Sequence, residues 1–166
     1  LLDLGTLGGS NSYAHGINSR GQVVGHSTAA DGWMRAFLYS GGVMRELGTL
    51  GGGNSYAYGI NDAGWVVGYS WLASGTGTRA FLWSEGVMTD LNSRIPDGSG
   101  WLLTEAYAIN SSGQIAGAGL SGGELRAFRL DPVPLPHSHN PEPATLVLIG
   151  GGLTALGLLR RKPARQ

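Results

Sequence analysis

Four histidines, at positions 15, 26, 137 and 139, are the side chains best suited to proton transfer or metal ligation. His15 and His26 fall at positions of an internal repeat that the chain elsewhere fills with Tyr58 and Tyr69, and then with Ala108 and Ala118. Neither Tyr nor Ala can replace a ligand or a general base without loss of its chemistry, so both histidines read as strand-surface residues. His137-Ser138-His139 supplies two imidazoles in a proline-rich stretch, short of the convergent donors that a metal site needs. Asp3 and Asp90 recur at one repeat position and Asp62 sits in a turn. No loop gathers the density of oxygens that calcium requires. There is no Gly-x-Ser-x-Gly elbow and no carboxylate pair recurring with a His. Gly8-Gly9-Ser10 and Gly51-Gly52-Gly53-Asn54-Ser55 have no Lys in P-loop spacing and read as turns between repeats. The expectation is a protein with no catalytic residue, no metal and no cofactor.

The aromatic residues suggest binding instead. Trp33, Trp71 and Trp101 fall in or near variable loops, and Arg94 and Asp97 lie with Trp101 in the least repetitive segment. Indole rings beside polar side chains suit stacking on sugar rings, so these five are the candidate ligand-facing residues; the alternative is that the rings cap strand edges. Tyr39 and Trp83 share one repeat position, which points to packing between repeats.

The elements that must position these residues are repeats. Ser12-Tyr13-Ala14-His15-Gly16-Ile17-Asn18 returns as Ser55-Tyr56-Ala57-Tyr58-Gly59-Ile60-Asn61, and more loosely as Glu105–Asn110. Gly21–Gly25 returns as Gly64–Gly68 and Gly113–Gly117, and Arg35-Ala36-Phe37 as Arg79-Ala80-Phe81 and Arg126-Ala127-Phe128. Asn18, Asn61 and Asn110 are 43 and then 49 residues apart. The larger gap comes from an insertion around Asn92–Trp101 that belongs in a loop, because a strand cannot absorb it without losing register.

Each unit reads as four short strands. Asn-x-x-Gly between the first two is turn chemistry: Asn bonds the backbone two residues on, and Gly supplies positive φ. Thirty glycines argue against helices, since each interior Gly costs a helix about 1 kcal/mol relative to Ala. Four strands in about 40–45 residues is the blade period of a β-propeller. The expected fold is therefore all-β: antiparallel four-stranded repeats over residues 1–131, propeller-like, in an incomplete array of about three blades. Leu1–Gly5 resembles the end of a fourth strand, whose first three would lie in repeats preceding Leu1; the alternative is that Leu1–Leu4 completes the third blade in an unusually small assembly.

Charge narrows the partners. Residues 1–140 hold seven Arg against ten Asp or Glu, whereas residues 141–166 hold four Arg or Lys against Glu142. The body lacks the basic surface that phosphate binding needs, so nucleic acid is not expected as a partner. The absence of cysteine rules out disulfides and thiolate chemistry.

After Asp131 the composition changes. Residues 132–140 form a proline-rich linker, stiff and unsuited to a sheet interior. Residues 144–159 carry no charge, and Arg160-Arg161-Lys162 comes directly after them as a membrane stop. Sixteen residues at helical rise span roughly 24 Å, a marginal crossing of a core about 30 Å thick. The basic cluster would hold the C-terminus in the cytoplasm and leave the repeats outside. A run this short also permits a buried core helix, but three consecutive glycines and a basic stop make poor core design.

These motifs carry two resemblances. Gly5-Thr6-Leu7-Gly8-Gly9, the recurring Gly-Ile-Asn-x-x-Gly-x-Val-Val-Gly and Arg-Ala-Phe-Leu resemble the HAF repeats of bacterial extracellular proteins over roughly residues 1–131. The His that names that family is replaced by Arg35, Arg79 and Arg126, so no role tied to it carries over. Pro141-Glu142-Pro143, the hydrophobic run and the terminal basic cluster resemble the PEP-CTERM sorting signal of Gram-negative bacteria that make exopolysaccharide. That resemblance implies an exosortase-type membrane protease as partner, recognising Pro141, Glu142 and Pro143. It also implies an inner-membrane stage before display at the cell surface or release. The expected function is a non-catalytic binding or structural module, associated with the surface or its exopolysaccharide. The alternative is a polysaccharide-acting enzyme with its catalytic residues in repeats ahead of Leu1.

Overall fold

A computed structural model describes residues 1–132. The linker from residue 133, Pro141–Pro143, the hydrophobic run 144–159 and Arg160–Lys162 lie outside the described residues. Among the described residues no helix is long and apolar enough to cross a membrane.

Among the described residues eleven strands form three antiparallel meanders. The first sheet holds β1 (Gly8–Ile17), β2 (Val23–Ala29), β3 (Met34–Ser40) and β4 (Val43–Glu46), in that spatial order. The second holds β5 (Gly51–Ile60), β6 (Val66–Leu72), β7 (Thr78–Ser84) and β8 (Val87–Asp90). The third has β9 (Trp101–Ile109), β10 (Ile115–Ser121) and β11 (Glu124–Leu130). The repeat therefore corresponds to one sheet, and the all-β expectation holds. The insertion is a loop except at its start, where a short 3₁₀ turn, Leu91–Arg94, is capped by Asp90 accepting from the Asn92 amide at 2.8 Å.

The turns between first and second strands use the Asn-x-x-Gly chemistry. Asn18 Oδ1 accepts from the amides of Arg20 and Gln22, the Gly21 amide donates to the Asn18 carbonyl, and Gly21 has φ 71°. Gly64 and Gly113 repeat that conformation. A further use of the asparagine is not legible in the repeat. Asn18 Nδ2 donates to the Asn61 carbonyl at 3.0 Å, and Asn61 Nδ2 to the Asn110 carbonyl at 3.1 Å. The turn residue of each unit thus ties it to the next.

The Gly-rich segments are not turns. Gly8–Ser10 and Gly51–Ser55 form the first halves of β1 and β5. The backbone there passes so close to its neighbour that a Cβ on Gly9 would lie 2.6 Å from the Thr28 carbonyl oxygen, and one on Gly52 2.5 Å from that of Trp71. Glycine is required by this close approach of two backbones within a strand pair.

Two apolar layers separate the sheets. Val24, Ala36 and Leu38 of the first sheet meet Ala57, Ile60, Val66 and Phe81 of the second, with Trp83 packed against them. Val67 and Ala80 of the second meet Leu103, Ala106 and Ile115 of the third. Alternation along each strand gives one side to the preceding unit and the other to the next. Buried serines close the frame. Ser27 and Ser70 accept from the amides of Leu7 and Leu50, and Ser55 accepts from the Ala36 amide of the unit before it.

Candidate functional site

The most concentrated chemistry lies at a β-bulge repeated in every sheet. In the first sheet Ala14 pairs with Gly25 and Gly16 with Val24, leaving His15 as the extra residue. In the second Ala57 pairs with Gly68 and Gly59 with Val67, leaving Tyr58; in the third Tyr107 is left between Ala106 and Ala108. A bulge bends its strand and re-aims a side chain. The register corrects the alignment of the repeats at this point: Tyr107, not Ala108, shares the position of His15 and Tyr58.

Each bulge collects its residue with the cross-strand pair beside it. Tyr13 faces His26, Tyr56 faces Tyr69 and Glu105 faces Ala118. Tyr13 and His15 each stack on His26 with ring centroids 4.9 Å apart, and His15 Nε2 lies 2.9 Å from His26 Nδ1. The rings then cross to the second sheet, His15 to Tyr58 and His26 to Tyr56, both at 4.8 Å. Tyr56 stacks on Tyr69 at 4.8 Å, and Tyr58 reaches Tyr107 of the third sheet edge-on at 5.8 Å. Tyr107 donates its hydroxyl to Glu105. Seven rings in unbroken contact thus span three sheets, with Tyr13 and Tyr107 about half exposed at either end.

The electrostatics of this ladder favour neutral rings. Burial lowers the His15 pKa, and burial with repulsion from His15 lowers that of His26. The hydrogen bond to Glu105 pushes Tyr107 up to about 12, and burial pushes Tyr69 well above the usual phenol range. At neutral pH the strip is weakly charged, with hydroxyls and imidazole nitrogens set among ring faces. Such rings offer large amphipathic contact area, and mutual stacking holds them in place.

The two histidines give the fold a pH dependence. Their folded pKa values lie below the ordinary value near 6.5, so the unfolded chain binds protons first as pH falls and stability drops through that region. The urea midpoint should fall between about pH 8 and about pH 5. His15→Tyr with His26→Tyr, which installs the second unit's own residues, should flatten that profile; an unchanged slope in the double variant would remove the histidines as its cause.

The residues singled out in the sequence are dispersed. Trp33 is half exposed in the turn between β2 and β3, and its ring lies over the Gly53 backbone, where a Cβ would come within 2.5 Å of Cε3. Trp71 is exposed at the end of β6 opposite Thr78. Arg94 ends the 3₁₀ turn and Asp97 lies in the loop after it, both exposed. Trp101 is half buried at the start of β9, edge-on to Phe128 at 6.5 Å. It lines an apolar groove of about 410 Å³ with Ile95, Pro96, Leu103, Phe128 and Leu130. The insertion therefore builds a groove around Trp101, while Trp33 and Trp71 belong to other sheets. Trp83 packs in the layer between the first two sheets, as expected from its repeat position.

Arg35 ties units together. It pairs with Asp31 at 2.8 Å and Glu46 at 3.0 Å and donates to the Gly53 carbonyl of the next unit. Comparison with family models, with curated proteins and with solved structures finds no match to this chain. The aromatic ladder escapes a reading of the sequence that weighs His15 and His26 as metal ligands, one at a time. The signal that could find it is the recurrence of aromatic residues at those positions, with Tyr58 and Tyr69 in the second unit and Tyr107 in the third.

Proposed function

We propose that this chain is a non-catalytic surface module that binds polysaccharide along its aromatic ladder, on propeller-like blades, and is sorted through a C-terminal PEP-CTERM-type signal. The observation that carries this reading is the continuity of the rings from Tyr13 to Tyr107 across three sheets. An extended ligand with alternating apolar faces and hydroxyls matches a strip of that composition, whereas a small substrate would need an enclosed pocket. The net charge of −3 over residues 1–140 suits a neutral or cationic glycan better than a polyphosphate.

Sorting rests on the resemblance of Pro141–Pro143, the hydrophobic run and the terminal basic cluster to that signal. In this reading an exosortase-type protease cuts near Pro143 while residues 144–159 and the basic cluster hold the chain at the inner membrane. The repeats are then displayed or released.

Affinity electrophoresis through gels containing the host's purified exopolysaccharide tests the binding. Retardation of the wild-type chain is expected, with most of it lost in Tyr13→Ala/Tyr107→Ala, whose residues are half exposed and so leave the apolar layers intact. Unchanged retardation in that variant would overturn the ladder as the binding surface. Release of reducing ends from the polysaccharide would overturn the non-catalytic reading in favour of an enzyme.

A further inference from the structure

The two outer faces of the three-sheet stack are not equivalent. Towards the preceding unit, the second sheet presents Ala57, Ile60 and Val66, with 0%, 9% and 0% of their surface exposed. The third sheet presents Ala106 and Ile115 in the same way. The first sheet carries the same residue types at the same positions, Ala14, Ile17 and Val23. Ala14 is exposed, Ile17 is 69% exposed and Val23 is half buried, because among the described residues no sheet lies in front of them; Phe37 on the same face is 1% exposed, so the open part of the face is its β1 side. The Asn61 and Asn110 carbonyls each accept from the asparagine of the unit before, and the Asn18 carbonyl is the equivalent acceptor.

The opposite face differs in chemistry. Gly16 and Gly59 lie where the next sheet's backbone comes close: a Cβ on Gly16 would be 2.7 Å from the Tyr58 carbonyl oxygen, and one on Gly59 3.1 Å from Ala108 Cα. The third sheet has Ala108 at that position, exposed. Arg129, paired with Asp131 at 3.1 Å, replaces Leu38 and Leu82, and the exposed Ala116 replaces Val24 and Val67. Leu120 and Leu125 are exposed on the same face, so it stays largely apolar, and what sets it apart is Ala108 and Arg129 where the other two sheets carry glycine and leucine.

We propose that the face of the first sheet bearing Ala14, Ile17 and Val23 is a docking surface for one further unit of this same repeat. The occupant is specified by Leu2-Asp3-Leu4-Gly5, which matches Arg45-Glu46-Leu47-Gly48, the end of the fourth strand that joins the first unit to the second. The unit that fits would present glycine at the Gly16 position, valine at that of Val24 and leucine at that of Leu38. Polysaccharide binding is not required for this assignment.

The repeat supplies its own test. Placing a copy of residues 1–43 ahead of Leu1 continues the 43-residue register without a break, with Leu1 coming after Val43 as Met44 does. In the extended chain, amide exchange around Ile17 and Asn18 should slow to the level of Ile60 and Asn61, and Tm should rise by more than about 4 °C. Ile17→Asp should leave the Tm of the 166-residue chain unchanged but cancel the gain in the extended one. Unchanged exchange at Ile17, with the added unit digested by protease, would overturn the proposal. So would a dimer of the 166-residue chain in sedimentation that Ile17→Asp dissociates, since the occupant would then be a second copy.

Discussion

Gly68→Ala is expected to be severely damaging for the addition of a single methyl group. A Cβ at Gly68 would lie 1.9 Å from the Tyr56 carbonyl oxygen and 2.9 Å from Ala57 Cα. Both obstacles are backbone, so no side chain can rotate away. Relief requires β5 and β6 to part by more than an ångström at the bulge, which breaks the pairing that aims Tyr58. Overpacking a tight interior site typically costs about 1–3 kcal/mol, and a fixed backbone obstacle places this one at or beyond the upper end. Against a total stability of about 5–15 kcal/mol for an ordinary domain, the loss is large. Thermal denaturation should show a clearly lowered Tm, and the tyrosine signals of the ladder should change in near-ultraviolet circular dichroism. A Tm within error of wild type would mean that the bulge tolerates the strand separation and is not the rigid element that holds the ladder. Gly25 and Gly117 meet the same obstacle at 1.8 and 2.1 Å from the Tyr13 and Glu105 oxygens, so the same substitution should fail in every unit.

The recurrence of this glycine is plain in the sequence, but its reason is not. Gly25, Gly68 and Gly117 recur as part of Gly-x-Val-Val-Gly, and alternation places them on a strand. Only the bulge explains why a strand interior should lack a side chain there: beside it, the carbonyl two residues before the extra one lies against the partner strand where a Cβ would sit. Bulges leave no composition signature of their own when the extra residue is His or Tyr. The asparagines show the same division. Turn formation is local and can be read from Asn18-x-x-Gly21, whereas the bond from Asn18 to the Asn61 carbonyl depends on how two sheets stack. The Gly-rich stretches read as turns because glycine serves turns and close backbone contacts alike, and only Thr28 and Trp71 across the sheet distinguish the two. The ladder stays hidden for a related reason. Its members are weak candidates one by one, and their contacts join residues from three different repeats.

Phe37, Phe81 and Phe128 hold one repeat position, yet truncation should not cost the same in each unit. Phe81 is fully buried between the first and second sheets, among Val24, Ala36, Leu38 and Val66. Removing its ring leaves a closed void walled by two sheets, and Phe81→Ala should cost about 3–5 kcal/mol. Phe128 is half buried and borders the groove beside Trp101. Its loss enlarges a space that solvent already enters, so less area returns to water and no sealed cavity forms. Phe128→Ala should therefore cost distinctly less, and urea denaturation of the two variants gives the comparison directly. Equal losses would mean that the third sheet is as tightly held as the second, which its three-stranded extent among the described residues and the half-buried state of Phe128 argue against. A larger loss for Phe81 ties stability to the layer between sheets rather than to the strands themselves. In that case the ladder owes its fixed geometry to the same stacking, because its rings cross from sheet to sheet at the edge of that layer.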